Sequence, residues 1–181
     1  MRNDNQKWAP SSGGTKKETV REHVRIGLVS VQSQILISGP IGKALELADL
    51  QSAIGWPTQV TGMHYALRLR RDRILVVDGP QIEDGWDAER GVAVSDMTDG
   101  YSVVEVSGDA AIGVLKRGTE ISLEQPSGSV ARVFYGYPVF VYACEGPDRF
   151  RIHIPRALLD SLWMLLDTFA AQADAEVLAI T

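Results

Sequence analysis

The sequence predicts an α+β fold with antiparallel sheets, because strand-like segments come in hairpin pairs and helical segments separate the pairs. Apolar and polar residues alternate in these segments, as in half-buried strands, and turn residues join them two by two. In a doubly wound parallel fold, strands would alternate singly with helices. The chain has 181 residues, of which 45% are hydrophobic and 23% charged. This composition favours one domain with a substantial core.

The first twenty residues are polar, with Ser11–Gly14 in their middle. So few apolar groups cannot offset the entropy of ordering this segment, and we expect a disordered tail over 1–20. The segment has neither the apolar stretch nor the cleavage site of a signal peptide. No apolar run has the roughly 18–20 residues that a spanning helix needs. A cytoplasmic protein without membrane contact is expected.

The first half begins with a strand-like region from Val24 to Ile37. Gly39-Pro40 ends it, and Pro40 suits the first turn of a helix. Leucines at close spacing then predict a helix over about 41–53, which Gly55-Trp56-Pro57 ends.

A hairpin and a short helix are predicted next. Apolar and basic residues alternate in Tyr65–Arg70, and Ile74–Val77 is a continuous apolar run. Arg71–Arg73 forms the turn between these two strands. A short helix is expected around Trp86–Arg90.

The second half begins with two strands predicted to pair with each other. Val92–Met97 and Tyr101–Val106 are joined through Thr98-Asp99-Gly100, which is a good turn sequence. Ser107-Gly108-Asp109 supplies N-cap chemistry for a helix that ends at Gly118.

The C-terminal part predicts a hairpin, a strand and a long helix. Val130–Tyr135 and Val139–Ala143 form the hairpin, and Phe150–Ile154 alternates strictly, with its apolar side inward. Pro155 begins the helix. At about 100° per residue, one face of this helix is apolar and is expected to be buried. That face carries Leu158, Leu159, Leu162, Trp163, Leu165, Leu166 and Phe169.

The two halves resemble each other coarsely. In each, a strand region leads into a helix at a Ser-Gly step, Ser38-Gly39 or Ser107-Gly108, and a hairpin follows. This indicates a single domain over 21–181, made of two pseudo-repeats at about 21–90 and 91–181. The alternative is that Ser-Gly is simply a common way to start a helix.

The residues that nucleophilic catalysis needs are not suitably placed in the sequence. A serine or cysteine nucleophile needs a histidine within hydrogen-bonding reach and a third group to orient it. His23 borders the tail, and His64 lies at the start of a strand. His153 occupies a polar position in its alternating strand, so a solvent-exposed side chain is expected there. Cys144 ends an apolar strand and is expected to be a buried, inert thiol. We therefore predict no catalytic residues.

Metal and nucleotide chemistry are not predicted either. Metal-binding spacings are absent, and the acidic cluster Glu83, Asp84, Asp87 and Glu89 is expected to be a solvated loop rather than a set of oxygen ligands. Gly108 and Gly113 match neither the dinucleotide fingerprint nor the phosphate loop. No metal-binding or cofactor-binding residues are predicted.

Charge concentrates in one basic segment, Arg68, Arg70, Arg71 and Arg73. It could hold a carboxylate or phosphate, dock on an acidic partner, or simply be the exposed face of a hairpin. The whole chain has 18 basic and 23 acidic residues, a net charge of −5. That balance argues against a nucleic-acid partner.

Several short motifs resemble a known family. The segment Val94–Leu115 resembles one shared by folate-dependent proteins of the aminomethyltransferase type. Within that group, the chain is most similar to the gamma subunits of heterotetrameric sarcosine oxidase. Further motifs that carry the likeness are Lys116-Arg117-Gly118 before Ile121-Ser122-Leu123, Gly128–Arg132, Pro155-Arg156 and Ser161-Leu162-Trp163.

The resemblance implies two related β-α-β units that exchange strands, as in folate-binding domains. It also implies a non-catalytic subunit of a four-chain flavoprotein that oxidatively demethylates sarcosine and passes the one-carbon unit to tetrahydrofolate. In such complexes the alpha chain carries NAD and folate, the beta chain carries FAD, and FMN lies between them. The gamma chain carries no cofactor. The expected partners are therefore alpha, beta and delta subunits.

Two alternatives remain open from the sequence. The chain could be an autonomous folate-binding one-carbon protein, with Asp96 for the pterin and Arg68 or Arg70 for the glutamate tail. It could also be a scaffold that forms homo-oligomers.

Overall fold

Two β-sheets face each other in the middle of the molecule, and helices cover both outer faces. The structure is a computed structural model that describes residues 17–180, with side chains described as far as Val177. The helices are α1 (Ile41–Leu47), α2 (Ala111–Gly118) and α3 (Leu159–Ile180), and the 3₁₀ turn Arg156–Leu158 precedes α3. The strands are β1 (Glu18–Val20), β2 (Arg25–Val29), β3 (Gln34–Ser38), β4 (Gln59–Val60), β5 (Tyr65–Arg70), β6 (Arg73–Val77), β7 (Gly85–Asp87), β8 (Val92–Asp96), β9 (Tyr101–Ser107), β10 (Ala131–Phe134), β11 (Tyr137–Cys144) and β12 (Arg149–Pro155).

The strands divide between a sheet A and a sheet B. Sheet A has the order β1-β2-β9-β12-β11-β10, and the two-residue β4 runs parallel to the end of β11. Sheet B has the order β5-β6-β3-β8-β7. Apart from β4, neighbouring strands in both sheets are antiparallel. The predicted α+β class with antiparallel sheets is confirmed.

Both faces of each sheet's central strands are buried, which explains their many apolar residues. On β11, Val141 and Ala143 pack toward α2 and α3, whereas Tyr142 and Cys144 pack toward sheet B. Successive side chains of a strand point to opposite faces, so each central strand contributes to two parts of the core. On the far side of sheet B, α1 covers a separate apolar cluster through Ala44.

Each sheet contains a strand from the other half of the chain. β2 pairs with β9 in sheet A, and β8 pairs with β3 in sheet B. The orders β2-β9-β12-β11 and β8-β3-β6-β5 therefore match strand for strand. The division into pseudo-repeats at 21–90 and 91–181 stays a prediction.

The predicted pairing of β8 with β9 is wrong. Both strands form, but the chain between them crosses from sheet B to sheet A. The Gly100 N–H donates to the Met97 carbonyl oxygen, so the turn itself forms as the sequence indicates. The strands separate because each finds a partner from the first half, Ile37 opposite Val94 and Leu28 opposite Val104.

Helix α1 is shorter than the predicted 41–53. Asp49 adopts a positive φ of 55°, and the Leu50 N–H donates to the Leu45 carbonyl while the Asp49 N–H donates to that of Glu46. This is the Schellman arrangement that ends helices. The helix therefore ends well before Gly55.

Helix α2 ends at Gly118 as predicted, but its predicted N-cap is wrong. The helix begins at Ala111, and no side chain caps the preceding Ala110. The Asp109 carboxylate instead lies 3.1 Å from His23 Nδ1. Asp109 therefore contacts His23 and makes no cap hydrogen bond to the first turn of α2.

Helix α3 confirms the predicted apolar face. Leu162, Trp163 and Leu166 are buried against sheet A and α2, and Phe169 packs beside them. No helix within the described residues is both long and apolar enough to cross a membrane.

Two other local predictions are wrong. Residues 1–16 of the predicted tail lie outside the described residues, but Glu18–Val20 forms an edge strand against β2, where Glu18 also pairs with Arg25. The segment predicted as a helix around Trp86–Arg90 begins as strand β7, because Trp86 pairs with Ala93 on β8.

Candidate functional site

A chain of buried polar side chains joins the two sheets. The Tyr65 hydroxyl lies 2.7 Å from the Tyr142 hydroxyl, which lies 2.9 Å from His153 Nε2. His153 Nδ1 lies 2.7 Å from Gln34 Oε1. Tyr65 and Gln34 belong to sheet B, whereas Tyr142 and His153 belong to sheet A. This series of hydrogen-bonded side chains therefore crosses the interface between the sheets twice.

The direction of these hydrogen bonds follows from the amide of Gln34. Its Nε2 donates to the carbonyl oxygens of Thr98 and Tyr101, so its Oε1 accepts from His153 Nδ1. A neutral histidine then has an unprotonated Nε2, which accepts from the Tyr142 hydroxyl. Tyr142 in turn accepts from Tyr65. Every member of this polar chain is satisfied, which a buried network requires.

His153 is thus not the solvated residue that its alternation predicts. His153 is 0% exposed to solvent. Burial and, secondarily, the Arg151 charge lower the pKa of His153 to about 3. The alternating pattern gives the wrong prediction because sheet B covers the face of β12 that carries the polar side chains. Both faces of this strand are therefore enclosed. A neutral imidazole held on both nitrogens has a structural role here.

The other predicted candidates are also engaged or enclosed. His23 contacts Asp109, as described above. Cys144 is buried as predicted, and burial raises the pKa of its thiol to about 11. His64 Nε2 is buried without a hydrogen-bond partner among the described residues. Since a nucleophile must be ionised or activated to react, Cys144 is poorly suited to that role.

The acidic cluster forms the edge of sheet B. Glu83, Asp84 and Glu89 are exposed, as a solvated segment should be. Asp84 accepts a hydrogen bond from the Asp96 backbone N–H, and Asp87 pairs with Arg90. Among the described residues, no group of three or more His, Cys, Asp or Glu side chains is arranged to hold a metal ion.

The glycines at the start of α2 serve packing. Gly108 has a φ of +112°, and a Cβ there would lie 2.2 Å from the His23 carbonyl oxygen. The close approach of the His23 backbone therefore requires a glycine at this position.

The basic segment borders a cleft between the ends of the two sheets, which we call the arginine cleft. Its volume is about 530 Å³, and β10 and the start of β11 form one edge. The other lining residues are Leu36, Leu69, Arg70, Arg73, Tyr101 and Phe140. Arg70 and Arg73 come from the predicted basic segment, whereas Arg68 and Arg71 do not line the cleft.

The side of the cleft that sheet A supplies was not apparent from the sequence. The rings of Tyr101 and Phe140 lie 5.2 Å apart with an interplanar angle of 57°. Arg132 of β10 also lines the cleft, and burial lowers the pKa of its guanidinium. These residues come from three separate strands. The sequence offered a single signal for this wall, namely aromatic residues on β9 and β11 on a side of the strand that had no predicted packing partner.

The residues suggested for folate lie on separate strands of sheet B, and their role stays a prediction. Asp96 lies on β8, three strand positions away from β5, which carries Arg68 and Arg70. At about 4.8 Å per strand, the backbones of β8 and β5 are roughly 14 Å apart. The Asp96 carboxylate accepts a hydrogen bond from the Thr98 backbone N–H, and the hydrogen bonds from Thr98 hold its pKa below the usual value.

Comparison with known proteins gives a structural match. No family model and no curated protein matches the sequence. A chain in the structure of heterotetrameric sarcosine oxidase from Corynebacterium sp. U-96, in complex with pyrrole 2-carboxylate, matches with a TM-score of 0.67. This chain shares its fold. The identity is 17%, over 87% of this chain and 89% of the other, so the two chains are similar in length.

Proposed function

We propose that this chain is the gamma-type subunit of a flavin-dependent heterotetrameric sarcosine oxidase. Its role is assembly and stabilisation of the complex, and its location is the cytoplasm. The observation that carries this proposal is the fold shared with a chain of such an oxidase across nearly the full length of both chains. If the matched chain were a much larger catalytic subunit, a chain of 181 residues would not cover 89% of its length.

The arrangement of titratable groups supports a non-catalytic role. His153 and Cys144 lie inside the interface between the sheets, where substrate has no access. Tyr65 and Tyr142 are hydrogen-bonded to each other in the same interface. These four candidates for proton transfer or nucleophilic attack are therefore part of the core.

The proposal assigns the chemistry to the partners. FAD, FMN, NAD and tetrahydrofolate would be bound by the alpha and beta subunits, and a delta subunit completes the complex. Asp96 and Arg70 lie three strand positions apart in sheet B, and binding of tetrahydrofolate by this chain stays an alternative. The outer surfaces of this chain would provide the contacts with the larger subunits.

Purification from the native host tests this function. The full chain, carrying an affinity tag, is expected to bring down larger chains that show flavin absorbance and consume oxygen when sarcosine is added. The chain expressed alone should be colourless and inactive. An untagged strain processed in parallel is the control. Flavin absorbance or sarcosine turnover by the chain alone would overturn the proposal, as would a native preparation without flavoprotein chains.

The two alternatives predict different behaviour of the purified chain. An autonomous folate protein would bind a reduced folate saturably in calorimetric titration. A homo-oligomeric scaffold would elute as a multimer in size exclusion and stay unchanged when the flavoprotein chains are co-expressed. The proposed subunit should instead move into a larger, flavin-containing peak.

A further inference from the structure

The arginine cleft has the features of a small-molecule site. Its volume of about 530 Å³ lies within the range of roughly 300–1,000 Å³ that is typical of ligand pockets. Leu36 and Leu69 give it an apolar wall, and Arg70 and Arg73 supply charge. Such pockets combine an apolar lining with a few convergent polar groups that orient the ligand.

The arginines of the cleft lack carboxylate partners within residues 17–180. The arginines outside the basic segment, apart from Arg132, all pair with acidic side chains in that same part of the chain. Within the described part of the chain, the arginines without a carboxylate partner are thus those of the basic segment and Arg132, although the net charge of the whole sequence is −5. The cleft is therefore suited to an anion.

Arg73 is oriented to receive a group with two oxygens. Its Nε donates to the Ser38 hydroxyl at 2.9 Å, which fixes the side chain and leaves both Nη groups for a ligand. Two N–H groups of one guanidinium match the two oxygens of a carboxylate. Arg70, on the neighbouring strand and exposed, adds a second positive charge.

Opposite these arginines, Tyr101 and Phe140 form an aromatic wall on sheet A. The Tyr101 hydroxyl makes no hydrogen bond to another described residue. Burial raises the pKa of Tyr101, while the nearby Arg73 charge acts in the opposite direction. The hydroxyl thus remains a protonated donor, and the rings offer a surface for stacking.

We propose that the arginine cleft binds a small organic carboxylate with a planar, apolar body. The carboxylate contacts Arg73 and Arg70, and the planar body lies against Tyr101 and Phe140. This site is separate from the assembly role, because it needs no partner chain.

Calorimetric titration of the full chain with sodium 2-naphthoate tests the proposal. Saturable binding is expected. 2-Naphthylmethanol, which has the same body without the charge, should bind at least about tenfold more weakly, since charge-assisted hydrogen bonds to arginine are lost. Sodium acetate, which has the charge without the body, should give no saturable heat.

Neighbouring arginines provide a matched pair of variants. R70Q removes a charge inside the cleft, and R71Q removes the same charge from the adjacent turn outside it. R70Q and R73Q are each expected to weaken 2-naphthoate binding about fivefold or more, whereas R71Q should change it less than twofold. Both Arg70 and Arg71 are exposed, so their comparison does not depend on folding.

Three results would overturn the proposal. They are no saturable binding of 2-naphthoate, equal binding of 2-naphthylmethanol, and equal weakening by R70Q and R71Q. The last result would show attraction to the general positive charge of the hairpin rather than a site.

Discussion

The hydroxyl groups of Tyr65 and Tyr142 lie 2.7 Å apart in the interface between sheets A and B. Their rings are 5.7 Å apart, and desolvation raises the pKa of both hydroxyls. Both tyrosines therefore stay protonated at neutral pH. Tyr142 accepts from Tyr65 and donates to His153, so it is the central member of the polar chain.

Replacing Tyr142 with phenylalanine should therefore lower the free energy of unfolding by about 2–3 kcal/mol. The change removes the acceptor of Tyr65 and the donor to His153 Nε2, and each buried unsatisfied group costs roughly 1–3 kcal/mol. Urea unfolding measures the loss. Tyr135→Phe is the control, since Tyr135 is 64% exposed and its hydroxyl makes no hydrogen bond to a described residue. A loss for Tyr142→Phe no larger than for this control would contradict the hydrogen-bond chain.

The enclosure of His153 predicts a pH-dependent stability. Its pKa is about 3 in the folded protein, compared with about 6.5 in an unfolded chain. Between these values the unfolded chain binds about one proton more than the folded chain, so stability falls as pH falls below about 6.5. The contribution is up to about 1.4 kcal/mol for each pH unit and is fully retained above pH 6.5.

Urea unfolding between pH 4.5 and 7.5 measures this dependence. Other groups also titrate there, so the informative quantity is the difference between the wild-type protein and His153→Gln. The variant should have a pH slope smaller by about one proton. An NMR titration of the wild-type protein provides a second readout, in which the His153 ring should remain neutral to pH 5. A ring that titrates near pH 6.5 would show that it is solvated.

Antiparallel hairpins were predictable where both strands stay in the same sheet. β5 with β6 and β10 with β11 form as the sequence indicates, because short turns between apolar runs leave no closer partner. The same reasoning fails for β8 and β9. The residues Thr98-Asp99-Gly100 determine that the chain turns between β8 and β9. The hydrogen-bond partners of these two strands, however, are strands from the first half of the chain, which are distant in sequence.

The candidate site was predictable only in part for a similar reason. The arginine segment is visible in the sequence, and Arg70 and Arg73 do line the cleft. Tyr101 and Phe140 lie 39 positions apart in the sequence, and sheet pairing brings them to that wall. Likewise, the alternating pattern identifies the apolar and polar faces of β12, but it does not reveal that a second sheet covers the polar face.

Two glycines of α2 should respond to alanine in opposite directions. At Gly118, an added Cβ would lie 2.1 Å from the buried ring of Phe134, so Gly118→Ala should destabilise the protein by about 1–3 kcal/mol. At Gly113, the nearest atoms are Arg117 Nη1 at 3.4 Å and the Ala173 Cβ at 3.9 Å. Gly113→Ala should stabilise the protein by about 0.5–1 kcal/mol through helix propensity.

Thermal and urea unfolding of both variants measure this contrast. Both variants make the same glycine-to-alanine change in the same helix, so any general effect of alanine is common to them. An opposite sign of the change in unfolding free energy therefore reports the contact with Phe134. Two stabilised variants would mean that the Phe134 ring moves aside without cost.

The thiol of Cys144 should report global unfolding. It is buried between the sheets, and its pKa is raised to about 11 by burial. At pH 8 only about one buried thiol in a thousand is ionised, because the pH lies roughly three units below this pKa. The folded protein should therefore react with a disulfide reagent such as 5,5′-dithiobis(2-nitrobenzoate) only when it opens. Adding Tyr142→Phe, which weakens the same interface, should accelerate the reaction by the same factor as the opening equilibrium, about 30- to 150-fold for a loss of about 2–3 kcal/mol. Tyr135→Phe should leave the rate unchanged. A wild-type thiol that reacts as fast as free cysteine would contradict the packing of the two sheets.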